Sequence, residues 1–175
     1  MSYVTRPFRV DQYDSHMGLD PKEPYPKRPR LKSFDYIGIY AYFITILTKD
    51  HAIYFKEEEV VKGVIDILNE TARLERFKIL TYCFMPDHLH LLIMGADDNS
   101  DLEKFISLFK QKSGYWYKKN YCTNLWHISY YDHVLRKEEN MENVALYILE
   151  NPLRKGLVSD FKEYPFIWSF WTDQG

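Results

Sequence analysis

The sequence predicts an α+β domain of the ferredoxin-like, split βαβ kind. That is an antiparallel four-stranded sheet with two helices on one face, plus a further helix near the C-terminus. Three observations carry this expectation. Four segments are rich in β-branched and aromatic residues at strand length. Segments between and after them repeat apolar residues at helical spacing. The elements run strand, helix, strand, strand, helix, strand, helix.

Each element has its own reason. "YAYFITILT" (40–48) reads as a buried first strand. From about 57 to 74, Val60, Val61, Val64, Ile65 and Leu68 recur at helical spacing. "FKILTYCFM" (77–85) is a second strand, Met85-Pro86-Asp87 a tight turn, and "HLHLLIM" (88–94) a third strand antiparallel to it. After the loop "GADDNS", Ser100 and Glu103 read as a capping box opening a helix, with Leu102, Phe105, Ile106 and Phe109 on its apolar face. "YYDHVLR" (130–136) is the fourth strand. "NMENVALYILEN" (140–151) is the last helix, which Pro152 ends.

Residues 1–33 show no periodic element and read as a basic extended N-terminal arm; 34–175 read as a single domain. Within the arm, "PKEPYPKRPRLK" (21–32) sets five basic residues against one glutamate. It is either a solvated tail or an arm whose Arg28 and Arg30 lie along phosphates. The 46% hydrophobic and 17% aromatic content argue against disorder. A net charge of −2 means that any nucleic-acid partner needs a local basic surface. Cys83 and Cys122 show no CxxC spacing, which argues against a disulfide framework or a thiolate zinc site and fits a reducing compartment. The N-terminus lacks the apolar core of a signal peptide, and the longest apolar stretch (37–47) is too short to span a bilayer. The expectation is a soluble cytoplasmic protein with no membrane partner.

His88 and His90 stand two apart in an otherwise apolar strand, so they share one face, with Cα atoms about 6.6 Å apart, while Leu89 and Leu91 point the other way. They are either two structural histidines or a pair converging on one metal ion, with Asp87 beside them as a further or supporting ligand. Two imidazoles leave coordination positions open, so a third ligand and a nucleophile must come from elsewhere in the chain. In the last helix, Met141, Val144, Ala145, Ile148 and Leu149 form an apolar stripe, and Tyr147 falls roughly 130° from its centre. Asn151, one turn on, shares the polar side with Tyr147, Asn140 and Asn143. Tyr115, Tyr117 and Tyr121 remain competing nucleophiles, and Asn151 also reads as a plain cap before proline.

Together these segments resemble the HUH superfamily of single-tyrosine transposases, specifically the REP-associated tyrosine transposases of bacteria. "YCFMPDHLHLLI" is similar to that family's central segment. "LWHISYYDHVLR" (125–136) resembles its tryptophan-led segment, although His127 stands where the family has glutamine. "YILENPLRKGLV" (147–158) is similar to the helix that carries the nucleophile, and "EYPFIWSF" (163–170) to the closing segment. The likeness runs from about 34 to 170.

The resemblance implies a metal pair, His88 and His90, a nucleophile, Tyr147, and Asn151 completing the metal site. It implies a divalent ion, Mg²⁺ or Mn²⁺, although imidazole also suits zinc. It also implies cleavage and rejoining of single-stranded DNA through a 5′-phosphotyrosine, with hairpin-forming repeats as substrate and a homodimer as one possible assembly. Candidate DNA contacts are Lys104, Lys110, Lys112, Lys118, Lys119 and Trp116 on the second helix, where lysines would hold phosphates and aromatics stack bases; a solvated helix face is the alternative. His133 and Arg136 extend that set. Two other readings stay open: a non-catalytic nucleic-acid-binding regulator, and a metal-dependent phosphodiesterase using water.

Overall fold

The computed structural model describes residues 34–137 and 139–172. The basic arm, with Arg28 and Arg30, lies outside the described residues. The elements are β1 (Ala41–Leu47), α1 (Glu58–Leu74), β2 (Phe77–Met85), β3 (His88–Gly95), α2 (Leu102–Tyr121), β4 (Tyr131–Val134), α3 (Met141–Leu149), a short α4 (Asn151–Arg154) and β5 (Ile167–Ser169). Among the described residues, no helix is long and apolar enough to cross a membrane.

The strands form one sheet in the order β4-β1-β3-β2-β5, every neighbouring pair antiparallel. The split βαβ expectation therefore holds for β1 to β4. The sheet has five strands rather than four, because Ile167–Ser169 pairs with Thr81–Cys83 at the β2 edge. Three residues are too few to carry an alternation signal, so tertiary pairing alone makes this strand.

The two sheet faces carry different layers. On one face, α1 and α2 pack Val60, Val64, Leu68, Phe105 and Phe109 onto Tyr42, Ile44, Ile46, Leu89, Leu91 and Ile93. On the other, α3 packs Val144, Ala145 and Ile148 onto Phe43, Leu80, Cys83, Met85 and Leu92. A bulge between Ile79 and Thr81 resets the alternation of β2. Ile79, Tyr82 and Phe84 thus join the α1–α2 layer, while Cys83 and Met85 turn to α3.

Three local expectations are corrected. The α2 helix is capped by Asp101, whose carboxylate accepts from Lys104 N at 3.1 Å. Ser100 instead closes the preceding loop: its hydroxyl accepts from Ala96 N and Asp97 N and donates to Arg76 O. Pro152 does not end the helical run. The chain breaks step at Glu150, and Pro152 sits in the first turn of α4, where its missing N–H costs nothing. Asn140 caps α3, accepting from Glu142 N and Asn143 N, so it is not a free polar-face residue.

Candidate active site

The site lies on the α3 face of the sheet. Strand alternation puts His88 and His90 there beside Leu92, as the pleat requires. Antiparallel pairing brings Thr45 opposite His90 and Leu47 opposite His88. Both imidazoles are buried.

Each ring is oriented through its Nδ1. Asp87 Oδ1 accepts from His88 Nδ1 at 2.6 Å, and Thr45 Oγ1 stands 2.9 Å from His90 Nδ1. Asp87 is itself anchored, because its carbonyl accepts from both the backbone N and the hydroxyl of Thr48. With both Nδ1 atoms engaged, the two Nε2 atoms turn to one point, 3.2 Å apart. The hydrogen bond from His88 holds the Asp87 carboxyl below its usual range. Burial, then the neighbouring His88, Arg154 and Lys155, keep His90 well below the ordinary imidazole value, while a hydrogen bond with the Asn151 side chain acts the other way. His90 is therefore neutral near pH 7, the form that ligates metal.

α3 and α4 bring the remaining groups. Asn151 is buried and reaches His90, so one expected neighbour is in place. Its Nδ2 donates to Tyr147 O at 3.4 Å, across the break between the two helices. Tyr147 is not simply on a solvent side. It is half-buried in the α3 layer, edge-on to Phe43 with ring centroids 6.2 Å apart, and Phe43 in turn lies 5.4 Å from the His90 ring. The competing tyrosines do not join this cluster. Tyr115, Tyr117 and Tyr121 belong to α2, which packs on the opposite sheet face.

A family model described as "Transposase IS200 like" matches residues 38–151. The chain belongs to that family. The matched span includes His88, His90, Tyr147 and Asn151. A Haemophilus influenzae protein whose name assigns it to the REP-associated tyrosine transposases is 23% identical over 136 residues, covering 71% of this chain and 77% of the relative. Among solved structures, a REP-associated tyrosine transposase bound to a REP hairpin superposes with a TM-score of 0.66 at 17% identity, covering 83% of this chain and 85% of that one. A Deinococcus radiodurans protein described as a transposase gives 0.50 at 23% identity, covering 67% of this chain and 95% of that one. The resemblance read from the sequence is borne out at the level of family and fold.

The cationic residues expected of such a transposase divide sharply. Lys110 donates to the carbonyls of His127 and Ile128 at 2.8 Å each, and burial lowers its pKa; it ties down the loop before β4. Lys112 pairs with Glu70 on α1 at 2.8 Å, and Lys104 with Asp101 at 3.2 Å. Trp116 is half-buried against α1, where the missing side chain of Gly63 makes room for its indole. That packing holds one side of the ring against α1. His133 faces Glu139, with Nε2 at 2.8 and 3.0 Å from the two carboxylate oxygens. Lys118, Lys119 and Arg136 are exposed. α2 as a whole covers the face opposite the histidines, so its lysines do not line the site itself.

Sequence reading did not single out Thr45 or Arg154. Thr45 becomes visible only through the β1–β3 register. Arg154 lies seven residues after Tyr147, but reading Pro152 as a helix end hides that relation.

Proposed function

We propose that this family member cleaves and rejoins single-stranded DNA with Tyr147 as the nucleophile. The observation that carries the reading is the convergence of His88 Nε2 and His90 Nε2, 3.2 Å apart, with the Asn151 amide on His90 and Tyr147 one turn before it. A chain used only for binding has no need to bury two imidazoles nose to nose.

The donor set fits a divalent ion. Two lone pairs aimed at one point repel unless a proton or a cation lies between them. The neutral state of His90 and the Asp87 carboxylate behind His88 suit the cation. His88, His90 and Asn151 would hold it, leaving positions for water and phosphate. When bound, such an ion supplies Lewis-acid polarisation of the phosphoryl oxygens; Mg²⁺ and Mn²⁺ suit the oxygen-rich remaining positions.

The chain's own groups do the rest. Tyr147 Oη attacks the phosphorus, forming a tyrosyl–phosphate bond. The P–O bond to the upstream sugar breaks, and that oxygen leaves as a free 3′-hydroxyl, taking up through solvent the proton that the phenol gives up. A 3′-hydroxyl attacking the phosphotyrosine reverses the sequence and rejoins strands, releasing the phenol. No nucleotide cofactor is consumed. Holding Tyr147 on a packed helix beside the metal ligands supplies orientation, the main lever for such a step.

Single-stranded DNA with a hairpin is the proposed substrate, supported by the REP hairpin bound to the structural relative. Lys118, Lys119 and Arg136, together with Arg28 and Arg30 of the arm, are the proposed phosphate contacts. Binding then weakens as salt rises.

The deciding experiment is Tyr147→Phe with a labelled hairpin oligonucleotide carrying a single-stranded flank. Wild type should give a covalent protein–DNA band on a denaturing gel. The variant should give none, with cleavage down by at least about 10³-fold and stability changed by less than about 1 kcal/mol. Cleavage without an adduct in wild type would point to a water nucleophile and refute the assignment.

A further inference from the structure

Tyr147 carries an unusual neighbour. Arg154, on α4, lays its guanidinium over the phenol ring, with Cζ 4.0 Å from the ring centroid. Its Nη2 also donates to Tyr147 O at 2.6 Å. One side chain thus holds the same residue twice, by its ring and by its backbone. Its Nη1 pairs with Glu150 Oε2 at 3.6 Å, an ion pair just beyond hydrogen-bond distance. Arg154 lies three residues beyond the span that the family model matches.

Simple capping does not account for it. Asn151 Nδ2 already serves the Tyr147 carbonyl, though at 3.4 Å. A lysine would serve that carbonyl as well. Only a planar, forked cation can stack on a ring and bond the carbonyl of the same residue together. Tyr147 is half-buried, and its ring also packs edge-on to Phe43.

We propose that Arg154 is the positioning residue for Tyr147, clamping the ring and the helix break so that the phenol oxygen stays aimed at the phosphate site beside His90. The inference rests on Tyr147 being the nucleophile. Arg154 itself need not touch DNA. Its effect should fall on the rate of attack and not on substrate affinity, because orientation is a transition-state advantage.

The test compares Arg154→Lys and Arg154→Gln with wild type in the full chain. Single-turnover adduct formation on the hairpin oligonucleotide, at saturating DNA, should fall by about 10- to 100-fold in both variants. The dissociation constant for the same hairpin should change by less than about twofold. Failure of lysine to rescue is the expected signature of a planar clamp. A charge-only role predicts near wild-type rates for Arg154→Lys and would overturn the clamp. A weakened Kd with an unchanged saturated rate would equally overturn it.

A second readout needs no cleavage. With ring-labelled tyrosine and Tyr147→Phe to assign the signal, the Tyr147 ring resonance should be shifted by the overlying guanidinium in wild type and should move towards its solvent-averaged position in Arg154→Gln. An unmoved signal would show that the stack does not hold the ring. The two failures are separable. If Tyr147→Phe still forms the adduct, the nucleophile assignment falls, whereas the labelled-ring comparison still reports whether Arg154 holds Tyr147.

Discussion

The two faces of the sheet do different work. The α1–α2 face is deep: helices of 17 and 20 residues bury a continuous aromatic and aliphatic layer, including Phe55, Phe105 and Phe109 at 1% exposure or less. The α3 face is covered by a helix of nine residues and carries buried polar groups: Thr45, His88, His90, Thr81, Ser169 and Asn151. Several pair with one another, as Thr45 does with His90 and Thr81 with Ser169 at 2.9 Å. Burying polar groups without such partners is unfavourable, so a protein that wants stability alone would fill this face with apolar residues. The difference teaches that one layer supplies most of the apolar burial while the other sets buried polar groups at fixed positions.

That division can be broken from either side. The largest effect is expected at the site: His90→Ala should lower cleavage by about 10³-fold or more while far-UV circular dichroism stays unchanged. Wild type should also gain melting temperature on addition of Mg²⁺ or Mn²⁺, and the variant should not. A divalent-ion response that survives in His90→Ala would argue against the proposed ligand pair.

Phe105→Ala attacks the other face. A buried aromatic lost from the α1–α2 layer should cost about 3–5 kcal/mol, read as a lower denaturant midpoint. Under conditions where the variant remains folded, adduct formation per folded molecule should stay near wild type. If activity fell well before the fold did, the two faces would be coupled more tightly than their separate packing suggests.

The smallest of the three effects sharpens the site's electrostatics. Asp87→Asn keeps the shape of the side chain but removes the carboxylate that orients His88. Divalent-ion affinity should fall by about 10- to 100-fold, measured by calorimetry, with little change in global stability. An unchanged affinity would mean that Thr48 and the β2–β3 turn orient His88 without help from the carboxylate.

Much of this was legible from residue order because it depends on local periods. β1 to β3, α1, α2 and α3 follow from alternation or 3.6-residue spacing, which the backbone imposes wherever the segment ends up. The shared face of His88 and His90 follows from the pleat alone. The family likeness was legible too, through several short segments in the right order, and Tyr147 and Asn151 are set apart by helix geometry alone.

Other features needed the tertiary structure, because they depend on which surfaces meet. Nothing local to α3 says that it crosses to the sheet face opposite α1 and α2, yet that crossing brings Asn151 to His90 and takes Tyr115, Tyr117 and Tyr121 out of reach. The lysines of α2 look alike in sequence; only packing gives Lys110 its carbonyls and Lys112 its glutamate. Trp116 became a packing residue because Gly63 leaves space opposite it. β5 exists because the β2 edge offers unpaired backbone groups. Arg154 reaches Tyr147 because the chain breaks step at Glu150 and then resumes a helical turn through Pro152. Sequence determined the periodic elements and the paired histidines, since those are properties of a single strand or helix. The tertiary structure decided which side chains face one another, since burial and pairing are set jointly by segments far apart in the chain.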